Sequence, residues 1–209
     1  MMEKIVWSGR ITSVQPRIRL TRSFDESSHS YLGYCLILDG VVGDEAREFS
    51  VGLGKAAYRR HLFRVGDQVS GESLPVADER KEPVEFYRTS KLKVLARHEG
   101  ESEPPPPWHG VAEELQRYRY RGYRRLSART YASRCRSCVW GCRMPVTIIL
   151  DKWNPDKKRY RFETFCYGPK SCRLYRPGPR RKVLGRGGVT WEEDDWVDEE
   201  ATAHRGPDE

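Results

Sequence analysis

Cys135, Cys138 and Cys142 stand close together, and Cys166 and Cys172 follow after two strand-like segments, so five of the six cysteines fall within residues 135–172. Thiolates are strong ligands for zinc and for iron–sulfur clusters. The spacing Cys135-x2-Cys138 turns two of them towards one ion. Between the clusters, Val146, Ile148 and Leu150 alternate as in a strand, Asn154-Pro155-Asp156 signals a turn, and Tyr160, Phe162 and Thr164 share one face of a second strand. Cys166-x5-Cys172 closes the hairpin, with Gly168-Pro169 between its thiols. The expected ligand set is Cys135, Cys138, Cys166 and Cys172, with Cys142 as an alternative ligand.

Knuckle, strand, turn, strand and second knuckle resemble a zinc ribbon, and the resemblance implies Zn2+ held by four thiolates. Such a site contributes folding energy that a thin hairpin lacks. Two features depart from the ribbon: the five-residue spacing of the second pair, and the extra thiol of Cys142. Cys135-x2-Cys138-x3-Cys142 plus one distal cysteine would equally serve a [4Fe-4S] cluster, so that alternative stays open. The start of the chain shows no apolar secretory segment, which predicts a cytoplasmic protein with reduced thiols rather than disulfides. Cys35, within an apolar run, reads as a small buried hydrophobe.

The cysteine module is strongly basic. Residues 108–185 carry 20 Lys/Arg against 5 Asp/Glu, net +15, while residues 186–209 carry 2 Arg against 9 acids, net −7. Arg117, Arg119, Arg121, Arg124, Arg125 and Arg129 surround Tyr118, Tyr120 and Tyr123, and a second basic arm contains Arg180, Arg181 and Lys182. Guanidinium forks bind phosphate and aromatic faces stack bases, which points to RNA or single-stranded DNA. The plainer reading is a solvated helix face with the tyrosines in a core.

Nothing in the sequence argues for catalysis. Glu192, Glu193, Asp194 and Asp195 could bind Mg2+ in a nuclease, but acidic clusters are usually solvated faces. Pro155-Asp156 with Glu163 faintly resembles the restriction-type nuclease motif, yet Phe165 stands where that motif needs Lys. Trp191 and Trp196 within the acidic tail suggest either a strap packed on the module or a mimic of a nucleic-acid backbone.

The elements that must position these residues divide into four stretches. Residues 3–98 read as five short strands with a helix over Ala56–Phe63 between the third and fourth, and a Phe63-x-Val65-Gly66-Asp67-x-Val69 turn before the fourth. This pattern resembles an OB-fold, which implies a small barrel that binds single strands or oligosaccharides across one face. Residues 99–107 form a proline-rich linker, 108–186 the basic cysteine module and 187–209 the acidic tail. The expected class is mainly β (β+α): an OB-like barrel plus a metal-stapled hairpin. No run of 18 apolar residues exists, so no membrane partner is expected. The competing function is a scaffold or regulatory subunit with protein partners.

Overall fold

The computed structural model describes residues 3–100 and 105–209. The chain is mainly β and built on one mixed eight-stranded sheet. The first strand, β1 (Ile5–Arg22), is followed by β2 (Ser27–Val42), β3 (Glu45–Leu53), helix α1 (Lys55–His61), β4 (Gln68–Pro75) and β5 (Phe86–Ala96). β1 pairs with both β2 and β4, β2 with β3, β3 with β5 and β5 with β4, so the five strands close into a ring. Trp7, Ile11, Leu36, Leu38, Phe49, Val51, Phe63 and Val69 fill it.

β1 is not one of the short strands expected of residues 3–98: it runs for 18 residues, through Pro16 to Arg22. On the side away from β2, residues 5–10 pair with β4 and residues 20–22 pair with the second half of the chain. Pro16, which lacks an N–H, falls between those two ladders, where no neighbour requires one.

After the linker come α2 (Leu115–Arg121), the two-residue β6 (Arg124–Arg125), α3 (Ala128–Thr130) running on as a π-helical turn over Tyr131–Cys135, β7 (Gly141–Ile149) and β8 (Lys158–Cys166). α2 stops at Arg121 because Gly122 leaves it at φ 67°. β7 and β8 form the expected antiparallel hairpin, register Gly141↔Cys166 to Ile149↔Lys158. β7 also runs parallel to β1, pairing Leu20, Thr21 and Arg22 with Val146, Thr147 and Ile148. The two halves therefore share one sheet and one core, which includes Ile18, Leu20, Met144, Val146 and Phe165. Each such buried side chain contributes about 1.5–3 kcal/mol through burial. Tyr34 and Tyr58 stack at 3.6 Å and donate to the carbonyls of Glu113 and Ala112, locking the linker's end onto the ring.

The chain ends in β9 (Arg181–Leu184), β10 (Thr190–Glu193) and α4 (Asp195–Thr202). No helix among the described residues is long and apolar enough to cross a membrane.

Candidate metal centre and the charge around it

The π-helical turn ends at Cys135, and a tight turn returns the chain to β7 so that Cys138 N–H donates to the Cys135 carbonyl. Cys166 ends β8 directly across from Gly141. A second turn, in which Cys172 N–H donates to the Pro169 carbonyl, brings Cys172 back. As a result Cys135, Cys138, Cys166 and Cys172 line one cavity of about 10 Å³, roofed by Pro107 and Trp108 and walled by Trp140 and Tyr175. Gly141 is needed at its rim: a Cβ there would lie 2.5 Å from the Cys135 carbonyl oxygen and 2.6 Å from Gln15 Nε2.

The first strand fixes this knuckle from outside. Gln15 is buried, and its Nε2 donates to the carbonyls of Cys135, Arg136 and Cys138 at 3.0, 3.0 and 2.9 Å. Its Oε1 accepts from the Tyr131 hydroxyl at 2.7 Å.

Burial pushes the Cys135 and Cys138 thiols up to about 12, and the Cys135 shift is reinforced by Cys166, Cys138 and Cys172, which face it. Burial also raises the Cys166 thiol, while Arg124 and the N–H of Gly168, 3.4 Å from the sulfur, pull it back. Main-chain N–H groups of Trp140 and Trp108 act on Cys138 in the same way. Among the described residues, no group of three or more His, Cys, Asp or Glu side chains stands arranged to hold a metal ion. The four thiols share a cavity without closing on a common point.

Cys142 lies apart from this cavity. It is fully buried on β7, its Sγ 3.4 Å from the Pro16 carbonyl oxygen, and its nearest thiol is that of Cys35. Cys35 is itself buried, within β2.

Three buried arginines stand behind the walls of the thiol cavity rather than in its lining: Arg121, Arg124 and Arg205, at 4%, 9% and 4% exposure. Arg121 Nε donates to the Tyr167 carbonyl at 2.7 Å and its guanidinium lies 4.3 Å over Trp140. Arg124 Nη2 donates to the Pro169 carbonyl and its guanidinium lies 3.9 Å over Tyr175. Arg205 Nη1 donates to the main-chain oxygens of Tyr167, Gly168 and Glu209. None of the three pairs with a carboxylate among the described residues. Arg121 Nη2, Arg124 Nε and both Nε and Nη2 of Arg205 have no hydrogen-bond partner among the described residues. Buried cations without counter-charge are costly. Cys166, when it is a thiolate, and Glu209 both favour the charged forms of Arg121 and Arg205.

Arg125 and Arg181 are interior too, and the acidic tail supplies the counter-charge for Arg125. Arg125 is fully buried; its main-chain N–H and Nε donate to the two carboxylate oxygens of Asp198 at 3.0 Å, and its Nη2 to Asp195 at 2.5 Å. Arg181 pairs with Glu163 at 2.9 Å, while Arg22 pairs with Glu163 at 3.5 Å and Glu193 at 3.0 Å. Of the four acids considered for Mg2+, Glu193 and Asp195 are thus engaged by arginines, Asp194 caps α4 and pairs with Arg180, and Glu192 is exposed. Glu163 is likewise enclosed between Arg22 and Arg181, and Asp156 is exposed in the hairpin turn.

The other expected nucleic-acid contacts are placed differently. Arg117, Arg119, Arg129, Arg180 and Lys182 are exposed, and Tyr123 is half-buried between His29 and Phe165. Of the neighbouring tyrosines, Tyr118 is buried and Tyr120 is 61% exposed. The sequence reading missed Arg143, exposed on β7 with its guanidinium 3.8 Å over the Phe162 ring. The alternation that puts Tyr160 and Phe162 on one face was the signal for it.

No protein-family model matches the chain, and neither a curated protein nor a solved structure is significantly similar to it.

Proposed function

We propose that the chain is a nucleic-acid-binding protein, for RNA or single-stranded DNA, whose second half is stapled by a structural metal centre on Cys135, Cys138, Cys166 and Cys172. The observation that carries the binding reading is the charge left outside. Within residues 108–185, fifteen Lys/Arg are exposed against three exposed acids, Glu113, Glu114 and Asp156, even after the interior arginines are set aside. A surface of that sign attracts polyanions. The strand order of the ring and the helix between β3 and β4 agree with an OB-like barrel, a scaffold suited to single strands.

The thiol cavity and its arginines fit a metal. Four thiolates around a divalent ion carry a net charge of −2, which would satisfy the carboxylate-free Arg121, Arg124 and Arg205. The N–H groups directed at Cys138 and Cys166 suit thiolate sulfurs better than thiols. A cavity of about 10 Å³ is near the size that holds one water. That favours a single Zn2+ over a [4Fe-4S] cluster, which would need the walls moved apart. A full thiolate shell leaves no open position for substrate, so the centre is structural.

Fluorescence anisotropy with labelled oligonucleotides across a salt series tests the binding reading. Affinity should fall steeply as salt rises. Affinity that stays flat, or no binding at low salt, contradicts it.

One observation favours a second reading, a scaffold with a protein partner in the cytoplasm. Phe24, Trp153 and Val189 are 41%, 86% and 51% exposed and line one shallow cavity, while Phe24 and the 55%-exposed Trp196 border another. Exposed aromatic patches of this kind mark interaction sites. A partner retained after nuclease treatment, and lost on Trp153→Ser, would favour this reading.

A further inference from the structure

β7 and β8 extend the sheet beyond the ring, and one of their faces is only partly covered. Cross-strand register places Thr147 beside Tyr160 and Pro145 beside Phe162, and the parallel ladder sets Thr21 of β1 beside Thr147. Tyr160 and Phe162 are half-buried at the surface of this face. The connection between β4 and β5 overhangs it through a 3₁₀ turn, Glu79–Lys81. Arg80 and Lys81 lie 4.6 and 5.5 Å over the Tyr160 ring, as Arg143 does over Phe162. Beside Phe162 the overhang leaves a cleft of about 310 Å³, bordered also by Arg136 and Tyr131.

The charges here are not balanced. Acids do border the cleft, but arginines hold most of them: Glu82 pairs with Arg17 and Arg19, Glu85 with Arg47, and Glu48 with Arg136. Asp78 pairs with Arg80 and Lys81. Glu79 has no such partner, and neither does Arg143, among the described residues. Arg80 and Lys81 remain substantially exposed, at 66% and 48% of their side chains.

Resting on the nucleic-acid reading above, we infer that this face is the platform for a single strand, with Tyr160 and Phe162 stacking bases and Arg143, Arg80 and Lys81 tracking the phosphates. Two rings on one sheet face, each covered by a cation that an arriving base would displace towards its own phosphate, match the base planes and phosphates that an unpaired strand presents at alternating positions. A duplex hides its base planes and gains only the charge term. DNA and RNA single strands share this chemistry, so the sugar is left to experiment. The exposed arginines of α2, Arg117 and Arg119, form the competing basic surface.

The test uses the full chain with fluorescein-labelled oligo(dT), oligo(U) and a duplex of equal length, at low and moderate salt. Tyr160→Ala should weaken single-strand binding about tenfold, and Arg143→Gln a few-fold with a salt slope smaller by about one. Arg117→Gln with Arg119→Gln should change affinity much less. Arg143 is exposed, so its variant guards against misfolding of the tyrosine variant, and melting temperatures check both. If the wild type binds single strands while Tyr160→Ala and Arg143→Gln bind unchanged, the platform is overturned and the nucleic-acid reading stands. Duplex binding as tight as single-strand binding overturns the platform likewise. If the wild type binds no oligonucleotide at low salt, the nucleic-acid reading fails, and the platform with it.

Discussion

Gln15 Nε2 donates to the Cys138 carbonyl at 2.9 Å, so a side chain of the first strand holds the knuckle 123 residues later in the chain. The same amide serves the carbonyls of Cys135 and Arg136. Gln15→Leu leaves the Tyr131 hydroxyl buried without its acceptor and takes one donor from each of these oxygens, which keep bonds from Cys138 N–H, Ser13 Oγ and Gly141 N–H, and it should cost about 1–3 kcal/mol of stability. Gln15→Glu should cost at least as much, because a carboxylate would then face carbonyl oxygens. Urea unfolding of both variants checks this; a loss within about 0.5 kcal/mol for either would show that the clamp carries little.

The tail is a strap in this structure. Its Asp198 is the counter-charge of the fully buried Arg125. Asp198→Ala should destabilise by about 1.5–3 kcal/mol, because Arg125 loses its two bonds to Asp198 and keeps only Asp195 as a charged partner. Gly122 provides an independent probe: at its φ of 67°, a Cβ would lie 2.0 Å from the Ala201 carbonyl oxygen, so Gly122→Ala should displace α4. Thermal melts should show lowered midpoints for both. A tail acting instead as a mobile competitor for nucleic acid would leave melting unchanged and tighten oligonucleotide binding on deletion of residues 190–209.

How much of this was legible follows from what a sequence pattern can carry. The two cysteine pairs and the hairpin between them were readable because ligand spacing, turn residues and period-2 alternation are local. The fate of the arginines was not. Arg125 and Arg117 look alike in sequence, yet one is interior because Asp195 and Asp198, about 70 residues on, reach back to it. The shared sheet was hidden for the same reason, since the β1–β7 ladder joins residues more than 120 apart.

His29 sets an acid limit. Burial, and then the charge of Arg22, lower its pKa to about 4, against a weaker pull from Glu163. A histidine depressed in the folded state binds its proton more readily when unfolded. Its contribution is therefore complete above about pH 6.5 and is lost as pH falls towards 4, by about 1.4 kcal/mol per unit across that window. His29→Gln should flatten this part of the stability profile; an unchanged slope would show that other groups set it.

On the proposed metal reading, the buried arginines behind the thiol cavity couple to the centre. Arg121→Met and Arg124→Met remove buried cations that have no carboxylate partner, so metal affinity should fall by about tenfold or more. Without metal, the same changes should be neutral or stabilising. Competition with a chromogenic chelator gives the first quantity and melting of chelated protein the second. Unchanged affinity in both variants would show that the arginines do not sense the centre.

Metal content is the most direct measurement. Elemental analysis of the full chain, purified without oxygen and without added metal, should give one zinc per chain and no iron–sulfur absorbance. Cys138→Ser and Cys166→Ser should lose that zinc, and Cys142→Ser should keep it. Full occupancy lost in Cys142→Ser, or a wild type free of metal with all four cavity thiols reactive to a thiol reagent, would contradict the metal-stapled reading.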